Sequence, residues 1–168
     1  MLNEREVLSI NQNSNVAVCI ESDKLVSVNQ LMKSGECNGH PNNLGNPSLM
    51  SVIPNNQTTT SVGFSFPTTS NLAQNPSFPA DFHVGIACPV GTLNKIKLNG
   101  VPIDTSTFTK TCNMSIGSVT LNPSIKYKLS SEVGFIAYMY AIGKDESYAS
   151  DLGAGFENSI TQLILEAK

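Results

Sequence analysis

The hydrophobic pattern is densest between Val133 and Ile142, a run reading VGFIAYMYAI, after which Gly143 ends it and polar residues follow to Tyr148. The run has no clean helical stripe. Its β-branched and aromatic residues favour a strand. A strand that is apolar on both faces must be covered on both faces. At about ten residues the run is also too short to span a bilayer as a helix. The pattern therefore predicts a central strand packed into the core of a sheet structure.

Shorter apolar–polar alternations occur on either side of it. Val7–Ile10, Val16–Ile20 and Lys24–Met32 read as strands, the last with Leu25, Ser27, Asn29 and Leu31 on one face. Ser48–Ile53 follows and stops at Pro54; Thr58–Phe66 places Val62, Phe64 and Phe66 on one side. Phe82, Val84 and Ile86 alternate with His83, Gly85 and Ala87, the period of a half-buried strand. Ile96–Leu98 and Val101–Ile103 flank Asn99-Gly100, the pair preferred in a type I′ hairpin turn. Pro102 marks the return strand as an edge. Ser118–Leu121 and Ile125–Leu129 flank Asn122-Pro123-Ser124 and read as a second hairpin. Gly/Asn/Pro-rich Ser34–Asn46 and Pro67–Pro79 read as loops, and Asp145–Phe156 as a turn. Short strands at regular spacing with almost no helix predict an all-β, mostly antiparallel fold of the β-sandwich or jelly-roll kind. We expect one domain over residues 1–158 and a tail, 159–168, that forms a short helix or a last strand.

Composition narrows the function classes. The 168 residues suit one ordinary core. Net charge is −3 with 14% charged residues, and the basic residues are scattered, which argues against nucleic acid as a partner. No apolar run is long enough for membrane insertion as a helix. Met1–Glu6 does not read as a signal peptide. Cys19, Cys37, Cys88 and Cys112 lack a C-x-x-C spacing, so a zinc site is not indicated. An even count in a chain rich in Ser, Thr and Asn fits two disulfides in an oxidising compartment. Three pairings are open. Cys88 with Cys112 would tie the ends of the Asn99-Gly100 hairpin region. Cys19 with Cys37 requires the chain after Met32 to fold back. Asn56-Gln57-Thr58 and Asn113-Met114-Ser115 are glycosylation sequons, which point to the same compartment.

Three stretches resemble the N-terminal domain family of IgG Fc-binding proteins. Cys19–Gln30 (CIESDKLVSVNQ) is similar to the family's cysteine, polar turn and K-P-V-x-V-x-Q strand, with Leu25 in place of the proline. Gly45–Gln57 (GNPSLMSVIPNNQ) is similar to its G-D-P-S-M-x-x-V-P-P-x-x-Q segment, with Asn46 in place of the acid. Ile96–Ile103, containing LNGVPI, resembles the family's L-D-G-x-P-V hairpin, and Val133–Tyr148 its closing aromatic strand and S-Y turn. Order and spacing agree over about residues 16–150. By this resemblance the chain begins part-way into the family module. The resemblance implies a non-catalytic extracellular binding or adhesion module of a larger secreted or surface protein, with an extracellular protein or glycoprotein as partner. It does not imply that immunoglobulin is bound.

No catalytic constellation stands out in the residues themselves. His40 lies in a Gly/Pro/Asn loop without a nearby acid, and His83 alternates with the apolar face of its strand; both read as exposed polar residues rather than parts of a triad. Asp145, Glu146 and Asp151 follow the apolar run but lack the order of a calcium loop, so a solvated turn is the reading preferred. No cofactor or metal is expected, and the chain does not read as an enzyme. The contact candidates are the loops at Ser34–Asn46 and Asp145–Phe156, since binding residues concentrate on loops held by a rigid scaffold. The competing reading is a carbohydrate-binding or carbohydrate-active jelly roll. It would need paired carboxylates or an aromatic platform, and the chain has few acids and no Trp.

Overall fold

The computed structural model describes residues 6–11, 17–33, 46–67, 81–143 and 146–153. The fold is all-β, and among the described residues every strand pairing is antiparallel. Its strands are β1 (Asn29–Met32), β2 (Ser48–Ser51), β3 (Thr59–Phe64), β4 (Asp81–Pro89), β5 (Lys97–Leu98), β6 (Val101–Pro102), β7 (Thr109–Thr111), β8 (Met114–Thr120), β9 (Tyr127–Gly143) and β10 (Glu146–Asp151). The only helical element among the described residues is a 3-10 turn, Leu93–Lys95.

The apolar run lies in β9, which is longer than the sequence pattern marked and pairs with four other strands. Its first half is flanked by β3 and β5, with Ser130 opposite both Ser61 and Lys97. Its second half is flanked by β4 and β10, with Tyr140 opposite both His83 and Ala149. The sheet runs β6-β5-β9-β4-β8-β7 and curls into a half-barrel, while β1 and β2 form a separate ribbon that packs against β10 through β2. Phe135 and Leu129 of β9 are completely buried, as are Val84 and Ile86 of β4. The expected central strand is thus the centre of the core.

An aromatic cluster closes the curl. Phe66 meets Phe82 edge-on at 5.2 Å between centroids, and Phe64 stacks on Tyr127 at 5.6 Å. The Tyr127 hydroxyl accepts the Asn122 N–H at 2.9 Å and donates to the Asn122 carbonyl at 3.1 Å. This is the device of the tyrosine corner, in which a ring from the core pins the backbone just upstream.

The Asn99-Gly100 hairpin forms as expected, with φ of 50° and 82° at the two turn residues. Asn99 contributes more than its backbone, because its Oδ1 accepts the Lys128 N–H of β9 at 2.8 Å. Four expectations are corrected. The Asn122-Pro123-Ser124 turn exists, with Ser124 N–H donating to Asn122 Oδ1, but β8 and β9 do not pair across it. Strand β4 lies between them, so the turn is a corner rather than a hairpin. Asp145–Phe156 is not a turn throughout, since Glu146–Asp151 is strand β10. Val7–Ile10, Ala17–Ile20 and Lys24–Val28 carry strand-like alternation but form no strand. Alternation expresses a preference for one buried face, and among the described residues no strand pairs with these segments to supply it. The fourth correction concerns the cysteines. Cys19 pairs with Cys112, across 93 residues, and Cys88 is a buried free thiol. The pairing Cys88–Cys112 is therefore excluded, as is Cys19–Cys37. Cys88 belongs to the inner row of β4 with Phe82, Val84 and Ile86, where it packs as a small hydrophobe. Cys37, His40, Asp145 and the tail 159–168 lie outside the described residues.

Candidate functional site

Strand alternation divides the β8–β4–β9–β10 sheet into two faces. The inner face carries Phe82, Val84, Ile86 and Cys88 of β4 and Phe135, Ala137 and Ala141 of β9, all buried in the core cluster. The register places His83 beside Tyr140 and Thr120, and Gly85 beside Tyr138 and Ser118, on the outer face. The His83 and Tyr140 rings stack nearly parallel, with centroids 4.9 Å apart and planes 17° apart. Thr120 Oγ1 lies 3.2 Å from His83 Nδ1. Gly85 opens space beside the rings: a Cβ there would stand 3.6 Å from the edge of Tyr140.

The β9–β10 side of this face is tied down. Tyr138 Oη accepts the Ile53 N–H at 2.8 Å, and Ser147 Oγ donates to the Asn46 carbonyl. These bonds hold the chain on both sides of β2 against β9 and β10, and Ile53 is buried. The half-buried His83–Tyr140 stack lies beside these ties, on the side of the face toward β4 and β8.

Electrostatics agree with this placement. Burial pushes the His83 pKa below the ordinary histidine value, outweighing the opposing attraction of Asp81. The imidazole is therefore mainly neutral at physiological pH. Burial raises the Tyr138 hydroxyl, partly offset by its hydrogen bond from Ile53 and reinforced by the charge of Asp151. Burial also raises the Tyr148 hydroxyl strongly and the Cys88 thiol, the latter against a hydrogen bond from Thr92. Both groups stay protonated at neutral pH, and a protonated thiol is a poor nucleophile.

The candidate residues from the sequence are distributed as follows. Asn56 and Asn113 are both exposed at turns. Asn113 and Cys112 form the tight β7–β8 turn with positive φ at both positions, a hairpin that sequence inspection missed because neither residue is glycine. Asp151 lies in β10 opposite Tyr138. No group of His, Cys, Asp and Glu among the described residues could hold a metal ion. Asp81 acts on His83 through charge alone, with no hydrogen bond between them, so the Thr120–His83–Asp81 row is not wired as a triad. The His83–Tyr140 patch escaped the sequence reading because the two residues are 57 positions apart and meet only through the β4–β9 register.

Together these features define a disulfide-bridged, antiparallel β-domain that presents side chains from a stiff sheet. The model of the family described as IgGFc binding protein matches residues 1–141, and the chain belongs to that family. It is a protein-binding, non-enzymatic family. No curated protein matched the chain, and no solved structure did. No helix among the described residues is long and apolar enough to cross a membrane.

Proposed function

We infer that the chain is a non-catalytic extracellular binding or adhesion module that recognises a protein or glycoprotein and belongs to a larger secreted or cell-surface protein. The observation that carries this reading is membership of a binding family over residues 1–141, and the Cys19–Cys112 bridge supports an oxidising compartment. Residues 1–158 act as one domain in this reading, and Asn56 and Asn113 carry glycans. The contact surface is centred on His83 and Tyr140, aromatic groups held without freedom to move by their stack and by Thr120. Such pre-ordered rings lose little entropy on binding.

The test is capture of secreted and matrix glycoproteins by the immobilised chain, followed by His83→Ala and Tyr140→Ala. Both variants should keep the wild-type circular dichroism spectrum and lose at least tenfold in affinity. Unchanged binding in both would remove this surface from the reading. A second reading, a carbohydrate-binding module, is favoured by one specific observation, the aromatic patch with neighbouring Thr120 and Ser118 hydroxyls. A glycan array separates the two: saturable binding to free glycans, lost in Tyr140→Ala, would favour carbohydrate recognition.

A further inference from the structure

We propose that the Cys19–Cys112 disulfide is a reducible latch, which an external dithiol opens to free the strap Ala17–Val28 while the sheets remain folded. The two sides of the bridge are held very differently. Cys112 sits in the β7–β8 turn, locked by the pairing of Thr111 with Met114 and by the Val90 N–H donating to the Asn113 carbonyl at 2.9 Å. Cys19 lies in a segment without regular structure. No residue of 17–28 is buried, and Val18, Ile20, Leu25 and Val26 are exposed despite being apolar. Backbone hydrogen bonding between this segment and the rest of the described chain begins only at Val28, whose carbonyl accepts the Val52 N–H. Among the described residues 17–28, the strap is therefore held at the bridge and at the start of β1.

Both half-cystines are exposed, so an attacking thiolate can reach them without prior unfolding. Exposed disulfides are the labile class. The exchange balances with a dithiol as reductant: its two thiols become a disulfide, and Cys19 and Cys112 become two thiols, with two electrons and two protons transferred. Opening removes nothing from the core, because no residue of the strap belongs to the core cluster or packs against it. Opening is thus a local event of the kind drawn from the low-stability end of a structure. This proposal does not depend on the identity of the binding partner.

Lys24 lies exposed in the middle of the strap, which makes trypsin the natural probe. The full chain, purified in oxidised form, is incubated in native buffer with and without dithiothreitol and then digested briefly. Cleavage after Lys24 should accelerate at least tenfold on reduction, because a strap released from the bridge enters the protease cleft more readily. Cleavage after Lys97, Lys110 and Lys128, in β5, β7 and β9, should change less than twofold. Iodoacetamide should then modify Cys19 and Cys112 but leave Cys88 unmodified. Cys112→Ser should show the fast Lys24 cleavage without reductant. The proposal is overturned if reduction requires denaturant, if Lys24 cleavage is unchanged, or if the sheet sites and Cys88 open together with the strap. The last outcome would make the bridge a staple of the whole domain.

Discussion

Phe135→Ala tests the claim that β9 organises the fold. Phe135 has no exposed surface, sits where β9 passes between β3 and the β4–β10 half of the sheet, and belongs to the single large core cluster. An aromatic ring buries about 150–250 Å², which at about 25 cal/mol per Å² corresponds to roughly 4–6 kcal/mol for the whole side chain. Alanine retains part of that, and the neighbours collapse only partly into the gap, so the expected loss is about 3–5 kcal/mol. For a chain of this size each kcal/mol moves the melting temperature by about 2–4 °C. A fall of roughly 6–20 °C should follow, measured by far-UV circular dichroism and confirmed by urea titration. Ile125→Ala is the control: Ile125 is 45% exposed, at the Asn122–Ser124 corner, and its loss should stay below about 1 kcal/mol. If Phe135→Ala costs no more than Ile125→Ala, β9 is not the centre of the core and the architecture argued above is wrong.

Gly134→Ala should destabilise by about 1–3 kcal/mol, because a methyl group there would collide with the Thr58 side chain; adding Thr58→Ala should recover at least half of the loss in a double-mutant cycle, whereas strict additivity would show that the two positions do not touch. The pH dependence of stability should carry the sign of His83. Its folded pKa is lowered, mainly by burial, so the unfolded chain binds the proton first. The stability contribution is present above the ordinary histidine value of about 6.5 and is lost as pH falls through the folded pKa. Urea melts from pH 7.5 down to 5 should show wild type losing more stability than His83→Gln, and the opposite order would mean that Asp81 dominates over burial.

How far the sequence reaches depends on how local each signal is. The Asn99-Gly100 turn was legible because two adjacent residues must both take positive φ, and that demand is met by residue type alone. The β4 strand and most of its inner row were legible because Phe82, Val84 and Ile86 alternate with smaller or polar residues over a distance shorter than any pairing decision. The pairing partners were not legible. Nothing in Ser118–Leu129 says that β4, thirty residues upstream, will enter between β8 and β9; that follows from curvature of the whole sheet. The cysteines fail for the same reason. Cys19 and Cys112 have Cα atoms 6.1 Å apart only because the strap crosses to the β7–β8 turn, and sequence separation says nothing about such a crossing. The N-terminal alternations failed differently. Pattern alone reads them as strands, but a strand needs a neighbour, and exposed Val18, Ile20 and Leu25 show that pattern does not guarantee burial.

The same alternation that fixes the core also separates stability from recognition. In β4 every second residue is committed to packing, and the residues between them can change with little effect on the core. His83 sits between Phe82 and Val84, both buried, so its backbone position is set by two neighbours that cannot move. Tyr140 is held in the same way by Met139, packed against the core, and by buried Ala141. The two rings thus inherit the stiffness of the core without contributing to it. A binding patch on a loop must become ordered when it meets its partner; this one is ordered beforehand by the strands beneath it. That is the physical reason to look for recognition on the sheet face as well as on the Gly/Asn/Pro-rich loops.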